Sequence, residues 1–369
     1  MKAMILAAGA GTRLKPLTNK IPKPMLPIIE KPVIEFIIEL LARHEVRDIM
    51  INISHLGWVM QNYLKSGYRY GVRIGYSFEG HFEKGQLIAE PVGSAGGMRR
   101  IQDSSAFFDE TFIVVCGDAI IDFDLKRALD FHNSRGSIAT ILTKEVPNEQ
   151  VSNYGIVVSD SYGRVGSFQE KPSLEKAGSN MANTGIYIFE PSVFKYIPSG
   201  TFYDIGSQLL PDLVKRKESV YSFTTEIDWF DIGRNSDYLS ILGQALQGKI
   251  KGFKPSGKEI TSGLWKGIGT IVEKTAKIIT PVFIGANTKI ERNVRLEGPT
   301  MVCSNCELCE GVDLSNVFVG DYTRIKAGFK GKNILITPDF FIRSDGSTGL
   351  ISEGPYAELI SDTRNLDIR

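Results

Sequence analysis

Apolar runs and helical spacings alternate over residues 1–245. Met4-Ile5-Leu6-Ala7-Ala8 ends in glycines and predicts a short buried strand. Val33, Ile37, Leu40 and Leu41 share one face of a helix that begins at Pro32, a residue suited to a first turn. Asp48–Ile53 alternates and predicts a strand, Trp58–Leu64 a helix and Val72–Ser77 another strand. Phe112-Ile113-Val114-Val115-Cys116 is apolar throughout, as in a parallel strand covered on both faces. Ser137–Leu142, Gly155–Val158 and Gly185–Phe189 are further strands. Leu209, Leu210, Leu213 and Val214 mark a helix, as does Tyr238–Leu246. Such alternation predicts an α/β sheet flanked by helices, with its ligand site at the carboxyl ends of the strands where their order reverses.

Residues 249–267 are rich in Gly, Lys and Pro and are expected to be a linker. Beyond them the period becomes six. Val272, Ile278, Ile284, Ile290, Leu296, Val302, Leu308 and Leu314 are evenly spaced, and Val319 and Ile325 resume the spacing after a one-residue slip. The fourth residue after each of the eight is small or β-branched, Phe318 excepted. Neither a helix nor an alternating strand has this period; a hexapeptide parallel β-helix does, each hexad forming one side of a triangular coil. A small β-sandwich is the plainer alternative. The expected division is 1–248 for the α/β part, 249–267 for the linker, 268–330 for the β-helix and 331–369 for a tail, with a short helix starting within Pro355–Ile360.

Composition narrows the function. The 369 residues carry 43 Lys plus Arg against 42 Asp plus Glu, a net charge of +1 that disfavours a nucleic-acid or anionic-membrane partner. Four cysteines do not make a disulfide scaffold, and no apolar run approaches a membrane span, so a cytoplasmic protein is expected. Glycine is in excess, 37 residues, which points to tight turns or close backbone approach to a ligand.

The first chemical feature is Gly9-Ala10-Gly11-Thr12-Arg13 after a strand. Paired glycines let backbone N–H groups approach a phosphate, and Arg13 adds charge, although a tight turn alone would use the same residues. The Walker and dinucleotide loops do not fit; Leu14 stands where the latter needs a third glycine. Next comes Ile21-Pro22-Lys23-Pro24-Met25-Leu26-Pro27. Prolines on both sides of Lys23 stiffen the segment and deny it a helix, presenting one long cation. The run from Leu6 to Pro27 resembles the signature of the sugar-1-phosphate nucleotidylyltransferases, and within that family the mannose-1-phosphate guanylyltransferase-like group. The resemblance covers residues 1–245 and implies a Rossmann-like mixed sheet, the nucleotidyltransferase fold. Variants of the family also carry a C-terminal left-handed parallel β-helix.

The resemblance implies that Arg13 and Lys23 are catalytic, stabilising charge at the α-phosphorus, and that Ala8, Gly9, Ala10, Gly11 and Thr12 cradle the triphosphate. Asp118, just past the buried strand, and Asp231, in Trp229-Phe230-Asp231-Ile232-Gly233, match the pair that binds Mg²⁺, a cation held by one or two carboxylates plus substrate phosphates. Lys171 and Glu170, in Phe168-Gln169-Glu170-Lys171-Pro172, would take the phosphate and hydroxyls of the sugar phosphate, with Gly155 and Asn183 touching the sugar. Each also has a structural reading, as a turn former or a weak surface ion pair.

Glu90, Gly93 and Ser94 open Glu90-Pro91-Val92-Gly93-Ser94-Ala95-Gly96. In the guanylyl- and adenylyl-transferring members this segment reads roughly Glu-x-x-Gly-Thr-Ala-Gly and lines the base pocket, whereas the thymidylyl and uridylyl groups carry a Gln-Pro-x-x-Gly-Leu type of run. It therefore favours GTP, and with it mannose 1-phosphate. The alternatives are a glucose-1-phosphate nucleotidylyltransferase using another nucleoside triphosphate, or a silent regulatory subunit. Retention of Arg13, Lys23, Asp118, Lys171 and Asp231 speaks against silence; Arg234-Asn235, where the family has Thr-Pro, is a departure.

Cys303, Cys306 and Cys309 have metal-like spacing, but the hexad register sends them to different sides of the coil. An acyltransferase role for the β-helix lacks its histidine, since none follows His132. The β-helix is expected to promote a homo-oligomer. Its deletion, residues 268–369, would then alter elution volume more than nucleotide binding.

Overall fold

A computed structural model of the chain describes residues 1–84 and 86–365. They form two compact units. The first is Met1–Gly11, Lys20–Leu26 and Val33–Phe230; the second is Thr12–Asn19, Pro27–Pro32 and Asp231–Arg369.

The first unit contains β1 (Lys2–Leu6), α1 (Val33–Arg43), β2 (Asp48–Ile53), α2 (Gly57–Leu64), β3 (Arg73–Phe78), α3 (Ser94–Ser105), β4 (Phe112–Cys116) and α4 (Leu125–Ser134). After these come β5 (Ala139–Glu145), β6 (Gly155–Ser159), β7 (Val165–Glu170), β8 (Met181–Phe189), α5 (Leu210–Lys215) and β9 (Val220–Thr224). Among the described residues these nine strands make one mixed sheet, ordered β7-β6-β8-β4-β1-β2-β3, with β5 joining β8 to β9.

Strands β4, β1, β2 and β3 run parallel, and β8 lies antiparallel on β4. The chain winds outward from β1 to β3 and then returns to the other side of β1 as β4. Order therefore reverses between β1 and β4, which is where α/β sheets bind ligands.

The apolar runs explain the placement. Ala3, Met4, Ile5 and Phe112 to Val115 are fully buried, because helices cover both faces of these central strands. Ile5 and Val115 face one layer, shared with Ile34, Ile37 and Leu41 of α1. Met4 and Val114 face the other, shared with Met98 and Ile101 of α3.

The second unit holds a parallel β-helix. Leu264, Val282 and Thr300 stand in register, as do Ile271, Lys289 and Glu307, and Lys277, Arg295 and Asp313. Three faces thus repeat every eighteen residues, as a triangular coil of hexads requires. The aliphatic positions Ile284, Ile290, Leu296, Val302, Leu308 and Leu314 are fully buried inside. The slip lies where the spacing shortens: Val302 pairs with Val319 and Leu308 with Ile325.

The structure differs from expectation at both ends of the solenoid. Strands Lys258–Thr261 and Leu264–Lys266 lie within the segment read as a linker, and the second pairs in parallel with Val282–Ile284. The first coil therefore begins before the hexad period becomes visible. At the other end, Pro355–Ile360 does not form a helix. It is a series of turns leading into Ile360–Asp362, which pairs antiparallel with Thr323–Ile325. Ile351, Tyr356, Leu359 and Ile360 pack on the solenoid core there. Antiparallel closure covers an edge that a parallel coil would leave unpaired.

Helix α6 (Asn235–Leu246) belongs to the second unit and packs on the strand Asp313–Val319. Its Tyr238 hydroxyl donates to the Pro27 carbonyl at 2.7 Å, and its Asn235 amide donates to the Lys15 carbonyl at 3.2 Å. The Leu6–Pro27 run is thus divided, part with the sheet and part with α6 and the solenoid.

Candidate active site

Leu6 and Cys116 are register partners, so the last residues of β1 and β4 stand side by side. The Gly117 N–H donates to the Leu6 carbonyl at 2.8 Å. A Cβ on Gly117 would lie 2.8 Å from that oxygen and 3.0 Å from Ile5 Cγ2. Only glycine fits, and this turn delivers Asp118.

Lys23 arrives from a distant segment. Pro22 is extended, and Lys23 starts a single tight turn, Lys23–Met25. The Lys23 side chain is nearly enclosed, the residue being 9% exposed, so its charge requires a partner. Its Nζ sits 2.5 Å from Asp118 Oδ2. The expected phosphate clamp and one expected metal carboxylate are thus brought together. Gly117→Ala is expected to push the two strand ends apart and lower turnover by about tenfold or more through the displaced Asp118, since such constellations tolerate about 1 Å of error poorly. Steady-state kinetics beside a thermal melt checks this.

The segment expected to line the base pocket is tied to the scaffold more tightly than its sequence suggests. Gly93 has φ of +77°, and a Cβ there would lie 2.5 Å from the Tyr203 carbonyl oxygen. The Ser94 hydroxyl donates to Asp204 Oδ2 at 2.8 Å and accepts the Ile205 N–H at 2.8 Å. It therefore locks α3 to the turn at Asp204. Burial works against the charge of Asp204, but hydrogen bonds from Ser207, Ser94 and Gly206 outweigh it and hold the carboxyl below its usual range. Glu90 is exposed, with His81 Nδ1 at 3.1 Å from its carboxylate.

The residues expected to meet the sugar phosphate gather on and beside β6, β7 and β8. Gly155 and Glu170 are register partners, and a Cβ on Gly155 would strike the Phe168 ring at 2.7 Å. Lys171 Nζ lies 3.6 Å from Glu170 Oε1, both side chains about half exposed. The Asn183 amide donates to the Tyr187 hydroxyl at 2.7 Å and its oxygen accepts the Gly185 N–H at 3.1 Å. Gly185, at φ +74°, packs where a Cβ would lie 2.5 Å from Cys116 Sγ. The Asn183–Gly185 stretch of β8 and Asp118 thus share one end of β4.

Thr12, Arg13 and Asp231 belong to the second unit. Thr12–Leu14 is a tight turn with Arg13 exposed. Asp231 ends the strand Asp228–Asp231. A Cβ on Gly233 would lie 3.2 Å from both the Asp231 and the Asp237 carboxylates.

Asp118 and Asp231 offer hard oxygen donors, the kind magnesium takes. Burial pushes the Cys303 thiol up and the Cys306 thiol up to about 12, so both stay protonated. Cys306 Sγ donates to the Gly320 carbonyl at 3.1 Å inside the solenoid. Among the described residues, no three His, Cys, Asp or Glu side chains gather into a cage for a metal ion. Sequence reasoning missed Asp204, for which only the Asp-x-x-Ser capping pattern with Ser207 offered a signal.

Residues 2–248 match the family described as nucleotidyl transferase. Over 370 aligned residues the chain is 43% identical to a Synechocystis protein named UTP–glucose-1-phosphate uridylyltransferase, covering 100% of this chain and 95% of the relative. It is 34% identical over 281 residues to a mannose-1-phosphate guanyltransferase of Candida albicans, covering 75% of this chain and 73% of the relative. It is 34% identical over 318 residues to mannose-1-phosphate guanylyltransferase 1 of Arabidopsis thaliana, covering 85% and 82%. Among solved structures, a candidate glucose-1-phosphate thymidylyltransferase of Bacillus anthracis superposes with a TM-score of 0.56 at 23% identity, over 70% of this chain and 98% of that one, a likeness of fold.

Proposed function

The chain belongs to the nucleotidyl transferase family, as a sugar-1-phosphate nucleotidyltransferase, and on that premise we propose that its preferred substrates are UTP and glucose 1-phosphate. The observation that carries this choice is the 43% identity over the whole chain to the uridylyltransferase, against 34% over parts of the chain to the guanyltransferases. It replaces the preference for GTP and mannose 1-phosphate drawn from Glu90-Pro91-Val92-Gly93-Ser94. That segment's hydroxyl, on Ser94, is engaged by Asp204 and Ile205 and so is a weak guide to the base.

A phosphate oxygen of the sugar phosphate attacks the α-phosphorus in line, and pyrophosphate leaves. The attacking monoester is already ionised, so no strong general base is needed, and catalysis rests on positioning and charge neutralisation. Lys23, held by Asp118 in the free protein, turns to the triphosphate and offsets the charge that builds there. Glycine-loop amides, with Arg13, hold the phosphates. Glu170, Lys171, Gly155 and Asn183 hold the sugar phosphate. Asp118 and Asp231 would each offer a carboxylate to Mg²⁺, which when bound supplies Lewis-acid neutralisation of the phosphates.

A panel of the nucleoside triphosphates against glucose and mannose 1-phosphates, scored for pyrophosphate, tests the choice. Uridylyl transfer to glucose 1-phosphate is expected to have the highest kcat/KM. A higher value for GTP with mannose 1-phosphate would return the choice to the guanylyl reading.

A further inference from the structure

Two buried polar side chains that no motif marks lie behind the proposed nucleotide site. Asn52 ends the stretch of β2 that pairs with β1, and Glu79 directly follows β3; they are 3% and 4% exposed. Asn52 Oδ1 accepts the Ala7 N–H at 2.7 Å. Asn52 Nδ2 donates to Glu79 Oε1 at 2.6 Å. The Glu79 carboxylate also accepts the Val92 N–H. The Glu79 backbone carbonyl accepts the Glu90 N–H at 3.1 Å. A Cβ on Gly97 of α3 would lie 2.7 Å from Glu79 Oε1 and 3.2 Å from Asn52 Nδ2.

One amide–carboxylate pair therefore reaches Ala7, where the glycine loop begins, as well as Val92 and the first turn of α3, while the Glu79 main chain holds Glu90. Burial pushes the Glu79 carboxyl up, while the Asn52 and Val92 hydrogen bonds and the Arg100 charge oppose that shift. A buried carboxylate of this kind persists only when its oxygens are paired, and its bonds are stronger than those between neutral groups.

We propose that Asn52 and Glu79 are positioning residues for the nucleoside triphosphate, setting the spacing between the Ala7–Gly11 loop and the Glu90–Gly97 segment so that both close on one nucleotide. This rests on the reading of those two segments as nucleotide-binding. Both side chains are too enclosed to touch substrate. The sugar-side residues lie on β6, β7 and β8, across the sheet from β2 and β3, so the effect is confined to the nucleotide.

Glu79→Gln tests it. Glutamine keeps the shape but offers one acceptor and one donor, and cannot accept from both Asn52 and Val92. If Asn52 flips to compensate, its NH₂ faces the Ala7 N–H. The expected result is a KM for the triphosphate raised by about tenfold or more, a hydrogen bond to a charged group having been lost, with KM for the sugar phosphate changed by less than about twofold.

In the substrate-free protein, amide hydrogen exchange is expected to rise together over residues 7–11 and 92–97. The double variant Asn52→Asp with Glu79→Gln restores every partner with the polarity reversed. The carboxylate introduced at position 52 accepts from Ala7 and from the amide introduced at position 79, whose oxygen accepts from Val92. This variant is expected to recover most of the lost affinity and protection. Asn52→Ala, which strands the Ala7 N–H, is a second variant expected to give the same KM split if Glu79→Gln does not fold. Equal changes in both KM values, exchange rising in one segment alone, or a double variant no better than the single would each overturn the proposal. A wild-type protein that joins no nucleotide to any sugar phosphate would instead overturn the functional reading, while the exchange measurement would still judge the coupling.

Discussion

Lys23→Ala is expected to lower turnover by about 10²–10³-fold, the range seen when one preorganised charge-stabilising donor is removed from an active site. The substitution deletes a nearly enclosed cation that stands 2.5 Å from Asp118. Stability should change little, because the Asp118 side chain left behind is 35% exposed and can be solvated. Loss of catalysis with a thermal midpoint within a few degrees of wild type is therefore the expected pair of results. Lys23→Met, which retains the apolar stem, should behave the same in turnover and still better in the melt. Near-normal turnover in either variant would remove Lys23 from the mechanism.

Deleting residues 268–369 is expected to unfold what remains of the second unit, helix α6 included, a stronger effect than the change in self-association anticipated from the hexad pattern alone. Helix α6 loses the strand Asp313–Val319 on which it packs. A Cβ on Gly243 of α6 would sit 3.5 Å from Pro299 and 3.9 Å from Phe318, so the helix and solenoid are in close contact there. Each buried aliphatic side chain that α6 would expose costs about 1.5–3 kcal/mol, a large share of a typical domain's stability of about 5–15 kcal/mol. Tyr238 and Asn235 of the same helix also anchor Pro27 and Lys15. Circular dichroism and calorimetry of the 1–267 fragment provide the check. A soluble fragment that melts cooperatively at the wild-type midpoint and binds nucleotide normally would show that α6 does not need the solenoid.

Much of the architecture was legible where one kind of spacing governs a long segment. The apolar runs Met4–Leu6 and Phe112–Val115 marked the central strands, because covering both faces leaves no polar position. The hexads marked the β-helix and even its one-residue slip, because each aliphatic residue must return to the interior. The start of its first coil was hidden because Lys266 stands where the next two coils put Ile284 and Val302. The closing strands were hidden because antiparallel closure breaks the period.

Within the site, Gly9 to Lys23 and Asp118 stood out because glycine, proline and a strand end leave local marks. Asn52, Glu79 and Asp204 left none as strong. Their partners are far off in sequence, 27 residues between Asn52 and Glu79 and 110 between Ser94 and Asp204, and only the sheet brings them together. The division of the Leu6–Pro27 run between two units was equally invisible, since it depends on where α6 packs.

The central claim is that this chain joins a nucleotide to a sugar phosphate directly. Its most direct test is the dependence of pyrophosphate release on the second substrate, using full-length protein, UTP, glucose 1-phosphate and Mg²⁺. Pyrophosphate and nucleotide sugar are expected to form in equal amounts, and neither is expected to form when the sugar phosphate is omitted. Pyrophosphate released without sugar phosphate, or no nucleotide sugar from any triphosphate and sugar 1-phosphate pair, would contradict the claim.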